Sequence, residues 1–537
     1  MKKYFWGLAT AALFAISCGS GGDSSSTTAA QSAAATGNCT GSATVAAGST
    51  VGGTAYYEDR TYNSTGFTGT ACKPIRYAKV EVIKGGSVIA STTTNFEGMY
   101  SVAPGATGTM YVRVIAEAAS PYSEVVKDNR DSSTYAVSSA SFTLASGQGA
   151  TVVLGAAKED VGQAFNVFDN IIKTQDALKT LSSASPPLIT AYWYSGKTEG
   201  TWYYKSGGAH FIDLLGKSTD SDSYDDSVIL HEMGHYAASA YSKDDSPGGS
   251  HSLTGHYDLR LSWSEGWATF FSSLVKSISV ESNPAVYVDT NGASGTGAST
   301  LLFTFEIDTP SSSALAIGAD NEMAVGNVLW HIYASPADGT HLGLGSTPIW
   351  NIFSQGLKNT TSTVTFETFY DLWVAGGLSS LTNILKDRLI KYSADLYESD
   401  DTSATARTVT AGTTESAHSF FPASDKDWYK ISVTSGTAYT FSTLTLGDGA
   451  DTLLTLYDSN GTTQLAQNDD DSSLSCSNGS IQCRASKIAW TANATKTVYL
   501  LAEPYRPLVS GTDISYSSST TYPAAVTRYG SYTISVQ

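Results

Sequence analysis

Positive charge is scarce in this sequence. Its 537 residues include 31 lysines and arginines against 49 aspartates and glutamates, which gives a formal net charge of −18. A protein that binds nucleic acid or an anionic lipid surface through electrostatics needs clustered basic residues. The composition therefore excludes this class of protein, and we expect no nucleic-acid partner.

Long apolar runs are missing as well. The sequence has no uninterrupted stretch of the ~18 apolar residues that a membrane-spanning helix needs, which argues against a polytopic membrane protein. Hydrophobic residues still make up 41% of the chain, enough to fill several cores, so global disorder is also excluded. At about 150 residues per domain, the length predicts three to four domains.

The N-terminal residues predict export. Lys2 and Lys3 precede a mostly apolar stretch, residues 4–16, which has the charged start and short hydrophobic core of a secretory signal. Only 15% of residues are charged, whereas glycine (49) and tyrosine (31) are plentiful, and this balance favours extracellular β structure.

A lipid anchor is predicted where the signal ends. The run Ala15-Ile16-Ser17-Cys18-Gly19 resembles the lipobox of bacterial lipoproteins. The resemblance implies that residues 1–18 are a signal peptide with its lipobox, and that two acyl chains on Cys18 hold the protein on a membrane. Because glycine rather than aspartate follows the cysteine, it also implies the outer membrane or cell surface of a bacterial envelope. An ordinary signal peptide with an unmodified cysteine is the alternative.

Four cysteines remain apart from Cys18. They fall into two regions, which predicts two disulfides in an oxidising compartment, Cys39–Cys72 and Cys476–Cys483. Either pair could instead stay reduced. We expect no catalytic thiol.

The next residues predict a tether followed by β structure. Residues 19–47 are mostly Ser, Thr, Ala and Gly, a composition typical of a flexible linker. Period-two alternation within 48–156 predicts short antiparallel strands. The segments 51–55, 78–82 and 91–101 resemble the carboxypeptidase regulatory-like domain. That resemblance implies a small β-sandwich that serves as a spacer or folding partner.

The C-terminal residues 395–537 also predict strands. The segments 425–429, 451–458 and 530–536 resemble the bacterial pre-peptidase C-terminal domain. The resemblance implies a β-sandwich that contributes stability, targeting or substrate tethering. Its aspartates lack EF-hand spacing, so we expect them to make turns, with bound Ca²⁺ as the less favoured alternative.

Residues 157–394 mix helical and strand patterns and predict an α+β region. Apolar residues recur at three- and four-residue steps, which is typical of amphipathic helices. The predicted helices cover 161–172, 228–241, 264–278, 321–333, 366–374 and 381–396. Strands are predicted at 189–194 and 209–214.

The chemistry is concentrated in His231-Glu232-Met233-Gly234-His235, inside one predicted helix. Residues four apart lie on the same helical face, so both imidazoles can bind one metal ion. In this HExxH arrangement the glutamate is a general base for a metal-bound water rather than a ligand. The pentapeptide alone is a moderate signal because it also occurs by chance.

A third ligand is needed, and Glu265 is the candidate. It lies 30 residues after His235, in Trp263-Ser264-Glu265-Gly266-Trp267 at the predicted head of a second apolar helix. This combination resembles the gluzincin zinc peptidases. The resemblance implies that His231, His235 and Glu265 bind one Zn²⁺ and that Glu232 is the catalytic base. The fold class expected is multidomain, with an N-terminal β-sandwich, a central α+β zincin-like catalytic domain and a C-terminal β-sandwich.

Alternatives to Glu265 remain at this point. Ser262-x-x-Glu265 before an apolar run could be a capping box, with the glutamate bonded to the backbone of the serine. The rival ligands are His251, His256 and Asp258, of which Asp258 is the strongest because residues 255–258 weakly resemble an aspzincin pattern.

Two supporting roles are also open. Thermolysin-like relatives carry an aspartate four residues after the ligand glutamate, but this sequence has Thr269 there, so Asp258 or Asp308 is expected to orient a ligand histidine. Candidates for an oxyanion donor are His331, Tyr333 and Tyr257.

The function predicted is zinc-dependent hydrolysis of peptide bonds in a protein or peptide substrate by an exported, lipid-anchored peptidase. One alternative is a surface adhesion or binding lipoprotein with an inactive peptidase-like domain. Another is a purely structural zinc ion, which is less favoured because structural sites usually have four ligands and are rich in cysteine.

Overall fold

The computed structural model describes residues 39–156, 161–290, 301–309, 316–335, 341–422, 425–473, 484–505 and 529–537, with strand backbone also at 31–32. The predicted signal peptide and lipobox with Cys18, most of the tether and the Cys476–Cys483 pair lie outside these residues. Among the described helices, none combines the length and the apolarity that crossing a bilayer requires.

The described chain forms two compact units, which we call the N-unit and the C-unit. The N-unit contains residues up to Ala240 together with Ala268–Ile307, and the C-unit contains Tyr241–Trp267 and Asp308–Gln537. The helices are α1 (Gln163–Leu181), α2 (Asp226–Tyr241), α3 (Leu259–Ile278), α4 (Glu322–Tyr333), α5 (Ser346–Asn351), α6 (Phe366–Ala375) and α7 (Thr382–Asp387). The division falls inside α2 and α3, each of which is one continuous helix.

Strands make up most of the N-unit. They are β1 (Gln31–Ser32), β2 (Ser42–Ala47), β3 (Val51–Asn63), β4 (Gly66–Pro74), β5 (Ala78–Lys84), β6 (Ser87–Thr93), β7 (Met99–Val102), β8 (Gly108–Ala118), β9 (Glu124–Lys127), β10 (Ala136–Ser138), β11 (Phe142–Leu144), β12 (Gln148–Ala156), β13 (Ile189–Tyr192), β14 (Trp202–Ser206), β15 (Ala209–Asp213), β16 (Gly216–Lys217), β17 (Asp220–Ser221), β18 (Val286–Thr290) and β19 (Leu301–Glu306).

Two large sheets organise these strands. One has the order β2-β12-β3-β4, with β7 on β3. The other runs β1-β10-β8-β9-β13-β15-β14, with β5 and β11 also paired to β8 and β6 paired to β5. Their alternation follows burial: in β8, Met110, Val112 and Val114 are almost fully buried while the residues between them are partly exposed. The period-two pattern therefore predicted these strands correctly.

The second sheet crosses the boundary expected between residues 156 and 157. Strand β9 pairs in parallel with β13, with Glu124 opposite Ile189, and β13 pairs in parallel with β15. Residues expected to form an N-terminal sandwich and residues expected to form the central region thus share one sheet. Alternation indicates that a segment is a strand but carries no information about a partner so far away in sequence.

One predicted disulfide lies within the described residues and is confirmed. Cys39 and Cys72 are bonded, with their Cα atoms 5.5 Å apart. The bond ties the segment before β2 to β4, and Cys39 is buried.

Helix α1 fixes the start of α2. Asn166 and Asn170 each donate a side-chain hydrogen bond to Asp226 Oδ1, at 2.9 and 2.7 Å, and Lys173 Nζ lies 3.3 Å from Asp226 Oδ2. Burial alone would raise the pKa of Asp226, but the Lys173 ammonium and these donors lower it to about 2. A carboxylate in the first turn also suits the positive end of the helix dipole.

Helices α2 and α3 pack closely within the N-unit. A Cβ placed on Gly234 would lie 2.6 Å from Ala268 Cα, so the two backbones nearly touch there. Beyond this contact, Ser272 Oγ donates to Ser227 O at 3.1 Å and Lys276 Nζ donates to Ser227 Oγ at 2.9 Å. The spacing of the two helices is therefore set at several points.

The C-unit begins with helices packed through aromatic rings. Trp267 on α3 stacks on Phe353 with ring centroids 3.6 Å apart. Phe353 belongs to a π-helical turn, Ile352–Leu357, that follows α5, and no periodic pattern in the sequence predicts either element. The helix predicted at 381–396 is only α7, because Leu389 takes a left-handed conformation at φ 52° just after it.

The rest of the C-unit is β structure. Its strands are β20 (Arg407–Thr408), β21 (Thr413–Ser419), β22 (Asp427–Val433), β23 (Ala438–Gly447), β24 (Thr452–Tyr457), β25 (Gln464–Asn468), β26 (Lys487–Thr491), β27 (Lys496–Pro504) and β28 (Ser531–Val536). They form two sheets, β20-β22-β27-β24-β25 and β21-β28-β23-β26. Buried side chains from both sheets form one hydrophobic core, which includes Ile431, Phe441, Leu454 and Ile534.

The contact at Gly234 yields a test of the helix packing. Gly234→Ala would ordinarily favour a helix, but here the added methyl meets the α3 backbone at 2.6 Å. We expect a loss of about 1–3 kcal/mol in the free energy of unfolding, measured by urea denaturation. The matched control is Gly200→Ala, whose Cβ meets only the Trp202 ring at 3.6 Å. Equal stability of the two variants would contradict the close packing.

Candidate metal centre

The two histidines of the HExxH motif lie side by side on α2. Their ring centroids are 5.0 Å apart with the ring planes 80° from parallel. His231 is 3% exposed, while His235 is half-buried. One helical turn therefore presents both imidazoles to a common point, as the four-residue spacing predicted.

His231 is oriented by Thr269 on α3. Thr269 Oγ1 lies 3.2 Å from His231 Nδ1. In the tautomer in which Nδ1 donates to this hydroxyl, Nε2 keeps the lone pair that a metal ion needs. The two aspartates expected for this task make other contacts: the Asp258 carboxylate accepts from Arg260, and Asp308 Oδ1 lies against His331 and His341.

Helix α3 begins earlier than expected, and this removes the capping-box alternative. It starts at Leu259, so Ser262 and Glu265 both lie inside the helix. Ser262 N donates to Asp258 O at 2.9 Å, and Ser262 Oγ donates to Asp320 O at 2.6 Å. Asp258 is the residue at the helix start, and its carboxylate accepts from the backbone and the guanidinium of Arg260. That carboxylate is therefore committed to Arg260.

Glu265 joins the two histidines. It stands one helical turn before Thr269 on the same continuous helix. One ligand atom from each of His231, His235 and Glu265 lies within 4.8 Å of the other two. Two imidazoles and one carboxylate are the donor set of many catalytic zinc sites, so the chemistry of these side chains fits Zn²⁺.

His251, considered as a rival ligand, lies beside Glu265. Its Nδ1 is 2.7 Å from Glu322 Oε2 at the start of α4, and its Nε2 is 3.6 Å from Glu265 Oε2. A buried histidine between two carboxylates can hold the orientation of Glu265. The other rival, His256, instead contacts Asp320 Oδ1 through Nδ1 at 3.0 Å.

Glu232 is buried next to β14, an end strand in the order of the larger N-unit sheet. It is 1% exposed, and its Oε2 accepts from the backbone N–H of Tyr203 on β14 at 2.6 Å. Strand β14 is the last strand in the described order of that sheet. The amide that holds the predicted base thus comes from an element far away in sequence, and no sequence pattern pointed to it.

The candidate oxyanion donors have the following places. His331 contacts Asp308 and Asn327, Tyr257 OH is 3.1 Å from Ser252 Oγ, and Tyr333 ends α4 with its ring against Trp330. Their role at the zinc site stays a prediction.

The acidic residues of the C-terminal region, residues 395–537, make two kinds of contact. Asp458 and Asn460 accept backbone N–H bonds from the next residues, as predicted for turns. In contrast, Glu398, Asp401 and Asp425 bring carboxylate oxygens within 4.8 Å of one another.

Asp400, beside that trio, is buried, and neither of its carboxylate oxygens has a hydrogen-bond partner among the described residues. Burial and the charge of Glu398 raise the pKa of Asp400 to about 7 and the pKa of Asp425 to about 8. Carboxylate oxygens are the ligands that Ca²⁺ prefers, and binding of Ca²⁺ by these residues stays a prediction.

Comparison with known proteins associates the chain with peptidases. Residues 174–385, which contain α2, α3 and α4, match the family described as the Mycolysin C-terminal domain. No curated protein matches the chain.

Two solved structures are similar to parts of the chain. The pre-peptidase C-terminal domain of a collagenase from Bacillus anthracis is 16% identical, over 25% of this chain and 94% of that one, with a TM-score of 0.17. The periplasmic lysozyme inhibitor PliG from Aeromonas hydrophila is 15% identical, over 25% of this chain and 97% of that one, with a TM-score of 0.15. At these scores neither likeness decides anything about this chain.

The Thr269 contact predicts an effect on metal affinity. Thr269→Val removes the hydroxyl that meets His231 Nδ1 and should weaken Zn²⁺ binding about ten- to a hundredfold. Thr269→Ser, which keeps the hydroxyl, is the control. Competition with a chromophoric chelator measures both affinities. Unchanged affinity in the valine variant would mean that Thr269 does not orient the ligand.

The carboxylates around Asp400 predict a pH dependence. Their folded-state pKa values lie above the unfolded value of about 3.9, so the folded protein binds more protons and loses stability as the pH rises from about 4 to 8. In metal-free protein we expect the melting temperature to fall over this range, and added Ca²⁺ to restore it at pH 8. The double variant Asp400→Asn/Asp425→Asn should give a flatter profile. A Ca²⁺ response of equal size in both proteins would contradict this assignment.

Proposed function

We propose that this protein is a zinc-dependent peptidase that hydrolyses peptide bonds. The observation that carries the proposal is the convergence of His231, His235 and Glu265, whose ligand atoms lie within 4.8 Å of one another. Glu232, the residue between the two histidines, is available as a base. The family match over residues 174–385 supports a peptidase rather than an unrelated metal protein.

Zinc, when bound, supplies a Lewis acid that lowers the pKa of a water molecule to about 7. With zinc held by His231, His235 and Glu265, Glu232 would accept a proton from the attacking water and would return a proton to the leaving amine. The Tyr203 N–H bond to Oε2 restricts the carboxylate, which lets it perform both transfers from one position.

Strand β14 suggests how a peptide substrate is held. It lies at the end of the described N-unit sheet, and its residue Tyr203 contacts the base. An extended peptide that adds to this edge would pair through its backbone and bring successive peptide bonds towards Glu232. This mode favours an unfolded segment of a protein as the substrate.

Features of the sequence also lead to a proposal for where the protein acts and which regions flank the peptidase. We propose export and attachment through lipidated Cys18 to the bacterial outer membrane or cell surface, with the carboxypeptidase regulatory-like and pre-peptidase C-terminal regions flanking the peptidase. The alternative, a binding lipoprotein with an inactive centre, is less well supported because the two histidines and both glutamates of the motif are all retained.

Variants of Glu232 and Glu265 distinguish a peptidase from a binding lipoprotein experimentally. Glu232→Gln should keep the zinc content and the melting temperature of the wild type but lower hydrolysis of a denatured protein substrate by at least about a hundredfold, because the base is lost. Glu265→Ala should lose the activity together with the zinc ion bound by His231, His235 and Glu265. The control is Glu199→Gln, which changes an exposed glutamate of the N-unit and should leave cleavage unchanged.

The assay uses zinc-loaded protein with and without a chelator. Cleavage by Glu232→Gln at the wild-type rate would refute the role of the base. Absence of chelator-sensitive cleavage in the wild type would favour the binding lipoprotein.

A further inference from the structure

A second set of metal-binding side chains lies in the C-unit. Asp308 follows β19, His331 is on α4, and His341 precedes α5. His341 Nε2 is 2.6 Å from Asp308 Oδ1, and His331 Nε2 is 3.2 Å from the same oxygen. The two imidazole rings are 4.3 Å apart.

Two residues supply polar atoms close to His331 Nε2. Asp308 O and Asp308 Oδ1 lie 3.1 and 3.2 Å from it, and Asn327 Nδ2, which donates to Asp308 O at 2.9 Å, lies 3.2 Å away. In the tautomer in which Nδ1 carries the proton, His331 Nε2 and Asp308 Oδ1 both offer a lone pair to a cation between them. A divalent ion bound by the nitrogen and the carboxylate would then take the place of the proton between them.

The scaffold that holds these side chains is already formed. Leu342 N donates to His331 O at 2.7 Å, and Leu344 N donates to Ile332 O at 3.0 Å, so the segment after His341 is bonded along the end of α4. The His331 and His341 side chains are 8% and 5% exposed, whereas Asp308 is 35% exposed. An ion could therefore enter from the side of the aspartate and meet two buried imidazoles.

This cluster is separate from the candidate zinc site. Glu322, which contacts His251 beside Glu265, is the first residue of α4, and His331 comes nine residues later. At 1.5 Å per residue the backbones of these two residues are about 13.5 Å apart along the helix. The two clusters share no residue, so each can be removed by substitution without changing a ligand of the other.

We propose that Asp308, His331 and His341 bind a second divalent ion of the zinc class, and that this ion clamps the segment around His341 to α4. Imidazole donors favour zinc and its neighbours over calcium or magnesium. The site goes beyond the proposed peptidase function, and it assigns His331 to metal binding rather than to the oxyanion.

Metal content tests the proposal. Purified full chain is loaded with excess Zn²⁺, desalted and analysed by elemental mass spectrometry. We expect two zinc ions per chain in the wild type, one in His341→Ala, one in Glu265→Ala and none in the double variant. The control is His256→Ala, which removes a histidine that contacts Asp320 outside both sites and should retain two.

A conservative variant guards against a folding defect in His341→Ala. Asp308→Asn keeps the size of the side chain, and circular dichroism checks its fold. It should also bind one ion, and in the Glu265→Ala background it should abolish the rise in melting temperature on adding Zn²⁺.

The outcomes distinguish the two sites. One zinc in the wild type that is lost in Glu265→Ala but kept in Asp308→Asn would overturn the second site and leave the peptidase proposal intact. One zinc that is lost only in Asp308→Asn would support the second site and refute the first. Two ions retained in both His341→Ala and Asp308→Asn would also overturn the second site.

Discussion

The close contact of α2 and α3 is the constraint on which the candidate centre depends. At Gly234 the helices approach so closely that a side chain on that residue would meet the backbone of Ala268. Because Thr269 follows Ala268 directly, the same contact puts its hydroxyl beside His231. One turn earlier on the same helix stands Glu265. A wider separation would leave both the ligand and the orienting hydroxyl out of reach.

Charged residues at the start of α2 and near the end of α3 also hold these two helices in place. Asp226 at the start of α2 is half-buried, and Lys276 near the end of α3 is buried, which lowers the pKa of Lys276 to about 8. Removing such groups from water is costly unless each finds partners. Asp226 has Lys173 and two asparagines, and Lys276 has Ser227 and Val286 O, so each group is satisfied in one geometry. These bonds fix the direction in which the two helices run, in addition to stabilising them.

The sequence predicted contacts between residues that are close together in the chain, but few of the contacts between residues that are far apart. The pairing of His231 with His235 depends on one helical turn, and the spacing alone predicted it. The capping-box alternative for Glu265 failed because its pattern is equally compatible with a helix interior, and the helix start at Leu259 decides between them. The bond from Tyr203 to Glu232 could not be predicted, since it depends on which strand ends a sheet.

Acidic residues outnumber basic ones by 49 to 31, so many carboxylates must be satisfied without an arginine or lysine. Backbone amides serve some: Asp448 accepts from Ala319 N and Lys391 N. Burial raises the pKa of others, so that a proton neutralises them; Asp222 reaches about 7. Imidazoles serve Asp308, whose Oδ1 lies 2.6 Å from His341 Nε2 and 3.2 Å from His331 Nε2.

Where amides and protons do not suffice, a metal cation is the remaining source of positive charge. Protonating His331 would supply that charge too, but burial lowers its pKa and opposes this. An excess of carboxylates over basic residues therefore favours the gathering of carboxylates and histidines into groups whose oxygen and nitrogen atoms suit cations. The proposed zinc ligands on α2 and α3 and the proposed site at the end of α4 both fit this pattern.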